Sequence, residues 1–465
     1  MLFSSSVFLF AFLPAVLLVY YLPLRRWRLG QNLFLLLASL FFYGWGAGRA
    51  LLLMVVSILM NHLLGLWAGR ARERSRSVRP AVTLAVICNL SLLFVFKYLG
   101  FTVSVLQNLG IPLPAVSITL PIGISFFTFQ AMSYVFDVAR GDAEVQKNPL
   151  YTGLYVSLFP QLVAGPIVKY QTVAHELLHR KENWADFSEG VHRFLIGLSK
   201  KVLLSNQLAA VADAAFAADA PTAAFAWLGS VCYTLQIYCD FSGYSDMAIG
   251  LGRMFGFHFD ENFQWPYISR SVSEFWRRWH ISLSSWFRDY VYIPLGGSRA
   301  GTAKLARNLL VVWLLTGIWH GANWTFLCWG LLYFVLLALE KFLHLGRSWP
   351  CPLQHLYTLL AVNFAWVLFR ADSLTDAGRY LAAMFGANGG YEALAGFYFR
   401  ENIVFLAAAM LFAAPFAGWL RKKAERSRLA PVWSVLLSLA LIALFAAAAS
   451  YLVKQTYNPF IYFQF

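Results

Sequence analysis

The sequence predicts an all-α protein, a polytopic transmembrane helical bundle of about eleven spans with re-entrant segments and interfacial amphipathic helices. Three observations predict it. Of the 465 residues, 59% are hydrophobic and only 13% are charged, where a soluble domain carries roughly 25% charged residues. Apolar runs of about 18 residues or more recur along the chain. The positive residues gather in short loops between those runs, the distribution described by the positive-inside rule.

The first run, residues 4–22, is too long for a signal-peptide core. It also lacks a basic start and a small-residue cleavage site, so it reads as a retained helix. Runs at 31–46, 49–68, 80–99 and 117–138 follow. Arg25, Arg26 and Arg28 come after the first run, Arg70, Arg72, Arg74, Arg76 and Arg79 after the third, and Arg140 and Lys147 after the fifth. The loops after the second and fourth are nearly uncharged. Basic loops belong on the cytoplasmic side, which puts the N-terminus outside.

The next stretches are less regular. Phe159-Pro160 and Gly165-Pro166 interrupt the run at 150–168 and predict a re-entrant segment covered by protein. Residues 189–216 read as an amphipathic interfacial helix. A further run spans 223–240, and residues 258–300 are rich in Trp, Tyr and Arg and also read as interfacial.

The last runs are 309–340, 353–369, 401–420 and 431–453. Arg421, Lys422, Lys423, Arg426 and Arg428 put 421–430 in the cytoplasm, 371–400 outside, and the stretch from Lys341 to Arg347 inside. Arg299, Lys304 and Arg307 lie inside too, so 309–340 starts and ends on one side. A single helix of about 32 residues would be roughly 48 Å long, against a hydrocarbon core of about 30 Å. Two segments meeting between Thr316-Gly317 and Gly321 fit, and they place His320 at depth. No internal repeat or linker divides the chain, so residues 1–465 read as one integral membrane domain.

The formal net charge of +15 sits in these loops and calls for anionic lipid headgroups, not nucleic acid. Five cysteines without a CxxC spacing give no metal or disulfide framework. Walker, HExxH and GxSxG motifs are absent, so no metal is expected.

Three stretches could carry chemistry. Polar residues at membrane depth are costly and need a reason. Within LLTGIWHGANWTFLCWG (314–330), His320 and Asn323 stand three apart and could share one helical face, with Trp319 adjacent. A histidine tied to one carbonyl is the plain structural alternative. In FWRRWHISLSSWFRDYVYIPLGG (275–297), Arg277, Arg278 and Arg288 alternate with aromatic residues around His280. They read either as an aromatic belt with snorkelling arginines or as a cradle for the phosphates of an anionic acyl donor. Asp240 and Asp246 follow an apolar run. They could orient a histidine or cap the next helix, and both readings stay open.

Taken together, MLFSSSVFLFAFLP at the start, PIGISFFTFQAMSYVFDVARG (121–141), ENFQWPYISRSVSEFWRRWHISLSSWFRDYVYIPLGG within 244–297, and TGIWHGANWTF (316–326) resemble the membrane-bound O-acyltransferase family. The resemblance spans nearly the whole chain and is nearest the bacterial branch that acetylates alginate or D-alanylates teichoic acid. It implies that His320 is the catalytic histidine and His280 a second functional one, in a tunnel joining the two faces. It implies acetyl-CoA as donor, entering near Arg277, Arg278 and Arg288. His320 would act as general base, and His280 or Asn323 would hydrogen-bond the oxyanion or position the donor.

The implied acceptor is a secreted polysaccharide such as alginate or cellulose. It is reached through an extracytoplasmic acetyltransferase or modification protein, with a polysaccharide synthase complex nearby. A chain with no sizeable soluble domain gives the same expectation of a partner. Peptidoglycan O-acetylation and teichoic-acid D-alanylation are the alternatives within the family. A polytopic transporter or flippase is the alternative from another class. It would carry charges within several spans, whereas these spans are nearly free of them.

Overall fold

Helix nucleation is costly in water, but in an apolar setting every backbone group must be paired within the segment, so long apolar runs become helices. The computed structural model describes residues 1–299, 301–427, 429–454 and 457–461, and among these no strand occurs. Seven described helices are long and apolar enough to cross a membrane. The chain forms two compact units, residues 1–194 with 247–260, and 195–246 with 261–465.

The first unit contains α1 (Phe8–Tyr21), α2 (Arg28–Ala47), α3 (Ala50–Glu73), α4 (Arg79–Asn108), α5 (Ile124–Arg140), α6 (Pro149–Ser157), α7 (Tyr170–His179) and most of α8 (Trp184–Ser199). Of these, α2, α3 and α4 have spanning length and apolarity. The expected span at 4–22 is the shorter α1, and that at 117–138 is α5, which is buried on nearly every face. Helix α5 packs close to α3 at Gly65, where a Cβ would collide with the Tyr134 ring. Asn61 and Asn89 exchange amide hydrogen bonds of 3.1 and 2.8 Å between α3 and α4, pairing groups that would be costly alone in an apolar layer.

The interrupted run at 150–168 becomes the nine-residue α6 and then a buried, non-helical segment. Pro160 and Pro166 stop the helix. Its backbone is satisfied locally: Ser39 Oγ accepts from Phe159 N at 3.0 Å, and Tyr155 Oη donates to the Val168 carbonyl at 2.8 Å. Before α8, Glu182 binds the Arg28 guanidinium at 2.5 Å and accepts a hydrogen bond from Tyr20.

The second unit runs from the end of α8 through a π-helical turn (Lys200–Ser205), α9 (Asn206–Phe216) and most of α10 (Ala223–Met254), whose last residues belong to the first unit. The short α11 (Val272–Arg278) and α12 (Ile281–Phe287) follow. Next come α13 (Thr302–His320), α14 (Trp324–Phe342), α15 (Cys351–Arg370), α16 (Leu374–Met384), α17 (Ala393–Phe412), α18 (Phe416–Glu425) and α19 (Ala430–Lys454). Helices α14, α15, α17 and α19 have spanning length and apolarity.

Segment 189–216 is more than an interfacial helix. Leu204, Leu208, Val211 and Ala212 enter the main core of this unit with Tyr233, Trp276, Trp329 and Trp366. The cytoplasmic cluster expected at 421–430 is described only partly. Arg428 and the side chains of Arg421 and Lys422 lie outside the described residues, while Lys423 and Arg426 are exposed.

Candidate active site

The expected break inside 309–340 is present. Helix α13 ends at His320, Gly321 is extended, and α14 starts after Asn323. The two helices form a tight hairpin because glycines face each other across it. A Cβ at Gly317 would strike the Phe326 carbonyl oxygen, one at Gly330 that of Trp313, and one at Gly321 the Phe326 ring. Small residues allow this close backbone approach.

Asn323 corrects the expectation of a shared helical face with His320. The helix breaks between them, so the i, i+3 relation does not apply. Asn323 is the N-cap of α14: its Oδ1 accepts from Thr325 N at 3.3 Å, and its Nδ2 donates to the Asp372 carbonyl at 2.8 Å. A polar side chain at a helix start satisfies an exposed backbone donor.

Helix α11 is anchored at both ends of its first turn. Ser271 Oγ caps Glu274 N at 3.0 Å. The Glu340 carboxylate, near the end of α14, accepts from Val272 N at 2.6 Å and Ser273 N at 2.9 Å. A carboxylate on a helix N-terminus is well placed for the orphan donors there. The chain then turns at His280, which is left-handed with φ +46° and caps α12.

These two anchors bring His280 and His320 to one indole. The Trp319 ring centroid lies 5.0 Å from that of His320 and 6.0 Å from that of His280. His320 also packs edge-on against Trp329 at 5.0 Å and Phe369 at 5.2 Å. His320 is 6% exposed and His280 2%. Burial pushes the His280 imidazole down to about 3, so it is neutral at ordinary pH. Its Nδ1 lies 3.3 Å from Asn262 Oδ1. Beneath His320, the indole N–H groups of Trp276 and Trp329 and the Tyr333 hydroxyl are buried with no hydrogen-bond partner among the described residues. Buried donors of this kind call for water or a ligand.

None of the three arginines is buried as these two histidines are. Arg277 is exposed. Arg278 pairs with Glu274 at 2.8 Å across one helical turn. Arg288, with a side chain 61% exposed, pairs with Asp289 at 2.7 Å.

Asp240 and Asp246 lie inside a helix and not at its start. Helix α10 continues through both, and each meets a lysine of the π-helical turn. Asp240 binds Lys201 and Asp246 binds Lys200, both at 2.7 Å. Asp240 also accepts from Ile461 N at 3.0 Å, and Lys201 donates to the Pro459 carbonyl.

Sequence reasoning missed Asn262, Glu340, Trp329, Phe369 and the two lysines. Lys200 and Lys201 did leave a signal, because adjacent lysines in an otherwise apolar helix require carboxylates. The others are ordinary residues whose roles come from contacts distant in sequence. No group of three or more His, Cys, Asp or Glu suited to a metal occurs among the described residues.

Two buried histidines thus meet at one indole, His320 at the end of α13 and His280 at the turn before α12. The membrane-bound O-acyltransferase family profile matches residues 37–375, and the chain belongs to that family. It is an O-acyltransferase and a multi-pass membrane protein. Among its relatives, the probable alginate O-acetylase AlgI of Azotobacter vinelandii is 41% identical with the whole of both chains covered. The protein of the same name from Pseudomonas putida is 42% identical, again over both whole chains. The peptidoglycan O-acetyltransferase of Helicobacter pylori is 37% identical over 84% of this chain and 80% of its own length.

Proposed function

We propose that this enzyme moves an acetyl group from cytoplasmic acetyl-CoA across the bacterial inner membrane for O-acetylation of a secreted polysaccharide of the alginate type. The observation that carries this reading is the meeting of two buried histidines on Trp319, at the break between α13 and α14. Full-length similarity to alginate O-acetylases supports the choice of acyl group and acceptor class.

His320 is the general base. Its imidazole takes the proton of an acceptor hydroxyl while that oxygen attacks the thioester carbonyl. The carbon–sulfur bond breaks, and the departing thiolate recovers the proton from the imidazolium. Such assistance contributes roughly 10²–10⁴-fold. Arg277 and Arg288, solvent-facing and basic, supply the first attraction for the phosphates of the donor. The buried donors of Trp276, Trp329 and Tyr333 suit the amide carbonyls of its arm. Asn323 serves as a cap and Trp319 as the platform between the histidines.

The N-terminus lies outside, and the arginine-rich loops lie in the cytoplasm. An extracytoplasmic partner receives the acetyl group and delivers it to the polymer. Similarity to a peptidoglycan O-acetyltransferase favours peptidoglycan as the second acceptor to test.

The test uses membranes containing the full chain, radiolabelled acetyl-CoA, and alginate or peptidoglycan with periplasmic extract. Label should reach alginate, and His320→Ala should reduce transfer by at least about 100-fold with unchanged membrane insertion. Full activity of His320→Ala would overturn the mechanism. Label on peptidoglycan alone would overturn the acceptor.

A further inference from the structure

The proton positions on a buried imidazole decide whether it gives or accepts a hydrogen bond, and its neighbours decide the proton positions. His280, Asn262, Ser282 and Ser245 form one buried cluster. The non-helical stretch at 262–264 is tied to the start of α12 by Ile281 N to the Asn262 carbonyl at 3.0 Å and to the end of α11 by Gln264 N to the Arg278 carbonyl at 2.9 Å. Asn262 is thereby held beside the His280 turn.

We propose that Asn262 is a positioning residue that sets the tautomer of His280, keeping the proton on Nδ1 and the lone pair on Nε2. The orientation of the Asn262 amide follows from Ser282. A backbone N–H can only donate, and Ser282 N lies 3.0 Å from Asn262 Oδ1, so that atom is the carbonyl oxygen. The amide nitrogen then donates to Ser245 Oγ at 3.1 Å. His280 Nδ1 faces the same oxygen at 3.3 Å. An amide oxygen has no proton to give, so Nδ1 supplies it.

A competing donor to Nδ1 is Ser282 Oγ, 3.5 Å away. That hydroxyl is 3.0 Å from Asn262 Oδ1 and gives its proton there, the shorter and stronger bond. The left-handed backbone of His280 is a conformation that non-glycine residues keep only when their surroundings hold them. The cluster around Asn262 does so.

The consequence for the reaction rests on the acyl-transfer reading above. A neutral His280 with its lone pair on Nε2 accepts a hydrogen bond there. It cannot donate from Nε2 to an oxyanion, which was one of the two roles the family resemblance implied for His280 or Asn323. Its task is to receive and align a donor, and oxyanion stabilisation falls to other groups.

The experiment uses the full chain in lipid nanodiscs with 15N-labelled histidine, and long-range 1H–15N correlation to read which ring nitrogen carries the proton. His280→Gln identifies the signals of His280. The wild type should show Nδ1–H. Asn262→Asp, which retains an acceptor, should keep the proton on Nδ1. Asn262→Leu should move it to Nε2 and lower kcat for acetyl transfer roughly 10- to 100-fold, as loss of a supporting partner does, with the KM for acetyl-CoA unchanged. Asn262→Asp should restore kcat towards wild type, which a purely steric role would not require.

An Nε2–H tautomer in the wild type overturns the proposal, and that reading stands even if Asn262→Leu fails to fold. An unchanged tautomer in folded Asn262→Leu overturns it too. If the tautomer moves in Asn262→Leu but His280→Gln retains full transferase activity, Asn262 control stands. The role of His280 in acyl transfer then falls by itself.

Discussion

Asp240→Asn separates a structural ion pair from a catalytic carboxylate. Asp240 and Lys201 have side chains only 1% and 2% exposed and lie 2.7 Å apart. At that distance their attraction is about 6 kcal/mol for an effective dielectric near 20. Most of it is offset by stripping water from both ions, so the pair itself contributes little net stability. Removing one partner is different, because Lys201 is then buried without its counter-charge, at a cost of roughly 3–5 kcal/mol. Each kcal/mol moves a melting midpoint by roughly 2–4 °C in a domain of this size, so the expected drop is on the order of 10 °C.

Tryptophan-fluorescence melting in detergent measures the drop, with acetyl transfer assayed well below the transition. The double variant Lys201→Met, Asp240→Asn removes both charges and should regain most of the loss. Asp240→Asn with a wild-type midpoint and abolished transfer would refute the reasoning, because Asp240 would then serve the chemistry directly.

The glycine crossing of the α13–α14 hairpin gives a contrast between two substitutions. Gly330→Ala puts a methyl group against the Trp313 carbonyl and should cost about 1–3 kcal/mol, with loss of transfer as His320 shifts. Gly378→Ala meets open space on the exposed face of α16 and should be neutral or stabilising by up to about 1 kcal/mol; thermal melts of both variants check the pair. Glu182 provides a pH signature. Burial pushes its carboxyl up, but hydrogen bonds from Arg28 and Tyr20 outweigh burial and hold it below the ordinary value of 4.5. A carboxyl whose folded pKa is depressed adds stability above its unfolded pKa and loses it as pH falls through the folded one. The wild type should therefore lose stability below about pH 4.5 more steeply than Glu182→Gln, and acid-denaturation curves with coincident slopes would refute this.

Much of the fold was legible because membrane insertion writes itself into local composition. The runs at 31–46, 80–99, 353–369 and 431–453 lie within spanning helices, and that at 49–68 starts on the residue before one. The run at 401–420 begins in one, α17, and continues into the separate helix α18. The length argument for a break near His320 located the α13–α14 hairpin. Runs at 117–138, 150–168 and 223–240 were harder. Their helices lie inside the protein and carry buried polar groups such as Gln130, Ser157 and Asp240, so apolarity alone does not describe them. Asn323 misled because helical spacing was assumed across a point where the helix stops.

The sequence by itself determined that the chain is a helical membrane protein of the acyltransferase family, with a polar centre at Trp319-His320. Those properties depend on runs and motifs of neighbouring residues. Tertiary structure decided the partners: Trp319 against both imidazoles, Asn262 on His280, Glu340 under α11, and Lys200 and Lys201 on Asp246 and Asp240. Directional hydrogen bonds and ion pairs form between residues far apart in the chain, and a linear pattern does not state which buried donor will meet which acceptor.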